Sequence, residues 1–145
     1  MIDSSYFRDI VSSLEKALYY ERGRGAYFRG TLVGKDFIDR NPIEGRTPEE
    51  VIESCLKVMR ENEIIKNARY EKDQNGTLFT FEIEGCVHLS VEAKLKEDGV
   101  PAYVCPPVNI ILYKIRERTD LAVEIADIAV NQGKCIVRVV VFKQD

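Results

Sequence analysis

No apolar run in this chain approaches the roughly 20 residues that a bilayer-crossing helix needs, and its opening, Met1-Ile2-Asp3-Ser4, is no signal peptide. There is no excess of either charge to speak of: 21 Lys and Arg stand against 24 Asp and Glu, a net charge of −3. The basic residues are scattered, and Arg22-Gly23-Arg24 is too short to serve as a nucleic-acid arm. The expectation is therefore a cytoplasmic protein that contacts neither membrane nor nucleic acid and keeps its thiols reduced. The Ser/His/Asp order of a hydrolase, a phosphate-binding glycine loop and a dinucleotide fingerprint are all missing, and Gly23-x-Gly25 is too weak to stand for one. Repeats, low-complexity stretches and linkers are missing too. At 145 residues, 45% hydrophobic and 31% charged, the chain reads as a single domain, 1–145, large enough to bury a core without disulfides.

Apolar residues recur at helical spacing through Phe7, Ile10, Val11, Leu14, Ala17 and Leu18, which predicts a helix over about residues 5–21. A second helix is expected from about Ala26 to Asp39. Its face carries Gly30 and Gly34 with Phe37 and Ile38, and two glycines four apart strip bulk from one stripe. Each costs about 1 kcal/mol of helix propensity, so either close packing or clearance for a ligand uses the space. Thr47-Pro48-Glu49-Glu50 gives an N-cap, a proline at the first helical position and a capping-box glutamate. The buried stripe of that helix holds Val51, Ile52, Cys55, Leu56 and Met59, which makes Cys55 a core residue.

From Ile64 the period changes to two. Strands are expected over 64–72 and 77–84, joined through Asp73-Gln74-Asn75-Gly76. Alternation resumes after Gly85 through Val87, Leu89, Val91, Ala93 and Leu95, and both a strand and a short helix fit residues 87–95; a strand would put Cys86 and His88 on one face, suited to a shared metal ion. Cys105-Pro106-Pro107 opens a further apolar helix, and a second hairpin, about 122–130 and 135–143, turns at Asn131–Lys134. In its first strand the apolar parity slips from odd (Val123, Ile125) to even (Ile128, Val130), which one extra residue near Ala126 would explain; that residue would also set Glu124 and Asp127 together on the opposite face. The order implies an α+β fold: N-terminal helices packed on an antiparallel sheet of two hairpins, with a buried helix between them.

Three of the four cysteines and the single histidine fall in the C-terminal half, as Cys86-x-His88, Cys105 and Cys135. Thiolate and imidazole suit zinc, with iron as the alternative, and Glu124 and Asp127 add harder oxygen ligands. The spacing matches no compact zinc finger, so the fold itself would have to assemble such a site. Buried cysteines and a surface histidine are the plainer alternative. A third alternative is catalytic, a reductase or hydrolase acting on a small hydrophobic substrate. In it Cys105 is a nucleophile whose pKa the dipole of the following helix lowers, or His88 is a general base. Tyr19, Tyr20, Tyr27 and Phe28 flank the break between the first two helices and serve either a core or a dimer surface.

Taken together, the element order and the stretch Gly25-Ala26-Tyr27-Phe28-Arg29-Gly30-Thr31-Leu32-Val33-Gly34 resemble the 4-vinyl reductase domain family, relatives of the TRAPP-type ligand-binding fold. Metal-binding members carry a glutamate, a cysteine three residues on, another eight beyond, and one upstream. Glu124 and Cys135 keep the outer spacing, Asp127 replaces the middle cysteine, and Cys105 is the upstream candidate. The resemblance implies a homodimeric, metal-stabilised domain for a small apolar or aromatic ligand. The room left by the glycine-spaced stripe puts the expected pocket over Gly30, Gly34 and Phe37, and the resemblance adds a role as a sensor or regulatory module.

Overall fold

A computed structural model describes residues 4–143, and within them the side chains of all but residue 4 and residues 27–31. Helix α1 runs over Ser4–Arg22 and leads into a 3-10 helix, Gly23–Leu32, followed by the single turn α2, Lys35–Ile38. Then come α3 (Pro48–Glu61), β1 (Asn67–Lys72), β2 (Leu78–Glu84), α4 (Leu89–Glu97), α5 (Pro106–Arg118), β3 (Leu121–Asn131) and β4 (Lys134–Lys143). The strands form one antiparallel sheet in the order β1-β2-β4-β3. This is the expected α+β architecture.

Local chemistry explains the clean boundaries. The Thr47 hydroxyl accepts from the Glu50 amide at 3.2 Å and donates to the Glu50 carboxylate at 3.0 Å, so α3 begins as its sequence requires. Asp73 closes the first hairpin by accepting from the amides of Thr77 and Leu78, with Gly76 at φ +69°. In β3 the pairing passes from Ile125↔Val139 to Asp127↔Arg138, so Ala126 is the bulge that the parity slip calls for.

The core lies between one face of the sheet and helices α3 and α5. Phe79, Phe81 and Ile83 of β2, and Cys135, Val137, Val139 and Val141 of β4, meet Ile52, Cys55, Leu56 and Met59 of α3 and Val108, Ile111, Leu112 and Ile115 of α5. The other face is open, exposing Ile136, Val140 and Phe142 of β4 beside Arg69–Glu82, Lys134–Glu82 and Arg138–Asp127 pairs. Cys55 is fully buried in the core, as its place in the helical stripe indicates.

Two segments differ from expectation. The helix predicted over 26–39 is instead the 3-10 helix and the short α2, because the chain breaks at Gly34, whose φ of +84° no α-helix can hold. Residues 87–95 resolve into helix: His88 caps α4, and Cys86 and His88 therefore share no strand face. Helix α1 does not reach the main core. It packs on α4 and on Tyr103 through Val11, Leu18 and Tyr19, leaving Phe7, Ile10 and Leu14 exposed. Tyr19 stacks on Tyr103 at 6.0 Å between ring centres, whereas Tyr20 is exposed; Tyr27 and Phe28 lie outside the described side chains.

Candidate functional site

A cavity of about 460 Å³ opens where α1 crosses the start of α5. Helix α1 supplies Val11, Leu14, Glu15 and Leu18; the segment around α2 supplies Val33, Gly34 and Phe37; Ile64, Val87 and His88 close one side. Tyr103, Val104, Pro106 and Ile110 form the floor. Larger clefts exist, but charged side chains line them. One of about 660 Å³ follows the bulged edge of β3 between Arg24, Arg116, Glu124 and Asp127, and one of about 900 Å³ runs along α3 among Glu49, Glu53, Lys57 and Arg60. A small organic ligand buries best in an apolar hollow with a few polar groups, which favours the first. Two of the expected pocket residues, Gly34 and Phe37, line it, while Gly30 lies outside the described side chains.

Glycine is required at position 34 for two reasons. Besides its φ, a Cβ there would stand 2.2 Å from Ile110 Cγ1. The expected close approach is thus real, but the neighbour is the Ile110 side chain of α5.

The polar part of the cavity wall is Glu15, His88 and Tyr103. Burial raises the Glu15 carboxyl from 4.5 to about 7 and lowers the His88 imidazole below its ordinary value. The Tyr103 hydroxyl donates to the Glu15 carbonyl at 2.7 Å and ties the floor to α1.

Behind this cavity, where β2 ends and β4 and α5 begin, three buried cysteines gather around a buried carboxyl, Glu92 of α4. The Cys135 thiol donates to Glu92 Oε2 at 3.6 Å, and the amide of His88 donates to Cys86 Sγ at 3.4 Å. Glu92 Oε1 is buried without a hydrogen-bond partner. Burial raises Glu92 to about 7 and Cys86 to about 11, and it pushes Cys105 and Cys135 well up. The charges of Glu92 and of the neighbouring thiols push Cys105 and Cys135 further in the same direction.

The sequence-based ligand set is therefore divided by the sheet. Cys86, Cys105 and Cys135 come together on the core side. Glu124 is exposed and lies opposite Val140, and Asp127 is held by Arg138; both are on the outer face, because the bulge sets their parity against that of Cys135. His88 faces the cavity. Among the described residues, no group of three or more His, Cys, Asp or Glu is arranged to hold a metal ion. Cys105 does cap α5, as expected, but it is 1% exposed, and burial raises its thiol rather than lowering it, against the activation that the catalytic alternative requires.

Glu15 and Glu92 escaped the sequence reading. Each sits within an apolar helical stripe, Glu15 between Val11 and Leu18, Glu92 beside Val91 and Leu95. A carboxylate inside such a stripe was the available signal.

No protein-family model matches the chain, and no curated protein matches its sequence. Among solved structures, the fold is similar to a trafficking protein particle complex subunit 3 from Naegleria fowleri covalently bound to palmitic acid. The TM-score is 0.52 at 14% identity, over 93% of this chain and 85% of that one. The fold of this chain is thus TRAPP-like. Among the described residues, no helix is long and apolar enough to cross a membrane.

Proposed function

We propose that this TRAPP-like chain, as a domain of the 4-vinyl reductase kind, binds a small apolar molecule in the cavity between α1, α2 and the start of α5. The observation that carries the reading is the cavity itself, about 460 Å³ and walled by hydrocarbon except for Glu15, His88 and Tyr103. The palmitic acid held by the Naegleria protein supports a ligand of this character on this fold. A neutral dye such as N-phenyl-1-naphthylamine should brighten on binding. Leu18→Trp, which fills the cavity from α1, should weaken the dye by about tenfold or more with folding preserved. Equal dye affinity in a folded Leu18→Trp variant would end the proposal.

The orphaned Glu92 Oε1 favours a second element, a zinc-like ion. The donor chemistry fits: Cys86, Cys105 and Cys135 with Glu92 would hold it after side-chain adjustment, and it would tie α4, α5 and β4 together. The resemblance adds a homodimer, for which Tyr6, Phe7, Ile10 and Leu14, exposed along α1, offer the surface. Native mass spectrometry of protein purified without added zinc reads both. We expect one metal per chain and a dimer at micromolar concentration. Metal-free monomers would remove both elements and leave the cavity reading to stand on the dye.

A further inference from the structure

The cavity has a sign. Among the described residues that line it there is neither lysine nor arginine, and its one ordinarily charged side chain is Glu15. Two cations on the same elements are engaged elsewhere: Lys16 with Asp98 at 2.8 Å, Lys35 with Asp39 at 2.6 Å. Glu92 lies behind the wall, near enough for the charge of Glu15 to help raise it. A ligand ending in a carboxylate would bring a further negative charge into this half-dry corner with no described cation to meet it. An ammonium would find a partner.

We propose that the cavity selects an apolar ligand with an amine head group, seated so that its ammonium pairs with Glu15, and rejects the corresponding carboxylate. The proposal rests on the ligand-binding reading above. Desolvation holds the Glu15 carboxyl up at about 7, so ionising it unaided is unfavourable. A cationic head group supplies the missing counter-charge as the alkyl chain fills the hydrocarbon part. Tyr103 holds that turn of α1 in place through the Glu15 carbonyl.

Decylamine, decanol and decanoate share a chain and differ only in head group. Each is titrated against the bound neutral dye, below its micelle concentration and at neutral pH. Decylamine should displace the dye at a concentration at least about tenfold lower than decanoate, with decanol between them. Glu15→Gln should weaken decylamine to the level of decanol and leave decanol unchanged, which separates local pairing from attraction to an acidic protein. Decanoate binding as tightly as decylamine, or an amine preference that survives Glu15→Gln, would overturn the selectivity while leaving the cavity reading intact. If none of the three displaces the dye, the ligand-binding reading falls and the selectivity with it.

Discussion

Gly34→Ala is expected to destabilise the fold by about 2–5 kcal/mol. Two costs combine. A non-glycine residue held in the left-handed region loses about 1–2 kcal/mol, and position 34 has φ +84°. Its new Cβ would also stand 2.2 Å from Ile110 Cγ1 and 2.8 Å from Cδ1. Ile110 is 4% exposed, its branched Cβ restricts the rotamers it can take on α5, and overpacking of this kind costs about 1–3 kcal/mol. Urea unfolding measures the sum. Pairing Gly34→Ala with Ile110→Ala separates the two costs, because it relieves the collision while leaving the backbone cost in place. The coupling between the two substitutions should be favourable by more than about 1 kcal/mol. A single Gly34→Ala variant within about 0.5 kcal/mol of the parent would contradict this account of the break between the 3-10 helix and α2.

The second large effect, expected of the metal-free chain, is a stability that falls as pH rises. Burial lifts Glu92 from 4.5 to about 7, so the folded chain keeps a proton that the unfolded chain releases. Below about pH 4.5 the carboxyl is neutral in both states and costs nothing; between there and about pH 7 the unfolded state gains, and above that the penalty is complete. A shift of this size corresponds to about 3 kcal/mol. Glu15 acts in the same direction, but less, because it is only half-buried. Glu92→Gln carries no charge to bury. It should match the parent near about pH 4.5 and exceed it by about 2–3 kcal/mol near about pH 8, as read by urea unfolding at both values. If the three thiols and Glu92 held a cation, the carboxylate would be stabilised in its ionised form. The parent would then gain stability with pH, and Glu92→Gln would lose it. The sign of the slope distinguishes the two arrangements.

Much of this fold is written locally. Thr47 and Pro48 start α3 because a hydroxyl and a ring locked in φ leave the chain little alternative there. Asp73 and Gly76 turn the first hairpin for similarly short-range reasons, and the parity slip around Ala126 reports a bulge without any tertiary information. Where two periods fit the same residues, the sequence could not decide. Val91 and Leu95 are spaced by four as well as lying on an alternating run, and packing against α1 and Val100 selects the helix. The candidate site was harder for the same reason. Three cysteines from separate elements do converge, but their carboxylate companion is Glu92 and not Glu124 or Asp127. Which face of β3 a residue occupies depends on a bulge whose effect reaches only side chains on that strand. The cavity, built from α1, the segment around α2 and the start of α5, leaves no local signature beyond Gly34.

That one surplus residue in β3 also sets what lengths this strand can tolerate. With Ala126 in place, Val123 and Ile125 before it and Ile128 and Val130 after it all contribute to a single hydrocarbon interior. Trimming the strand by one residue at this point would restore regular pairing, yet it would turn one half inside out, setting valine and isoleucine against water and acid against the interior. Loop tips generally absorb insertions and deletions. The middle of this protein's longest strand is a place where chain length itself is under constraint.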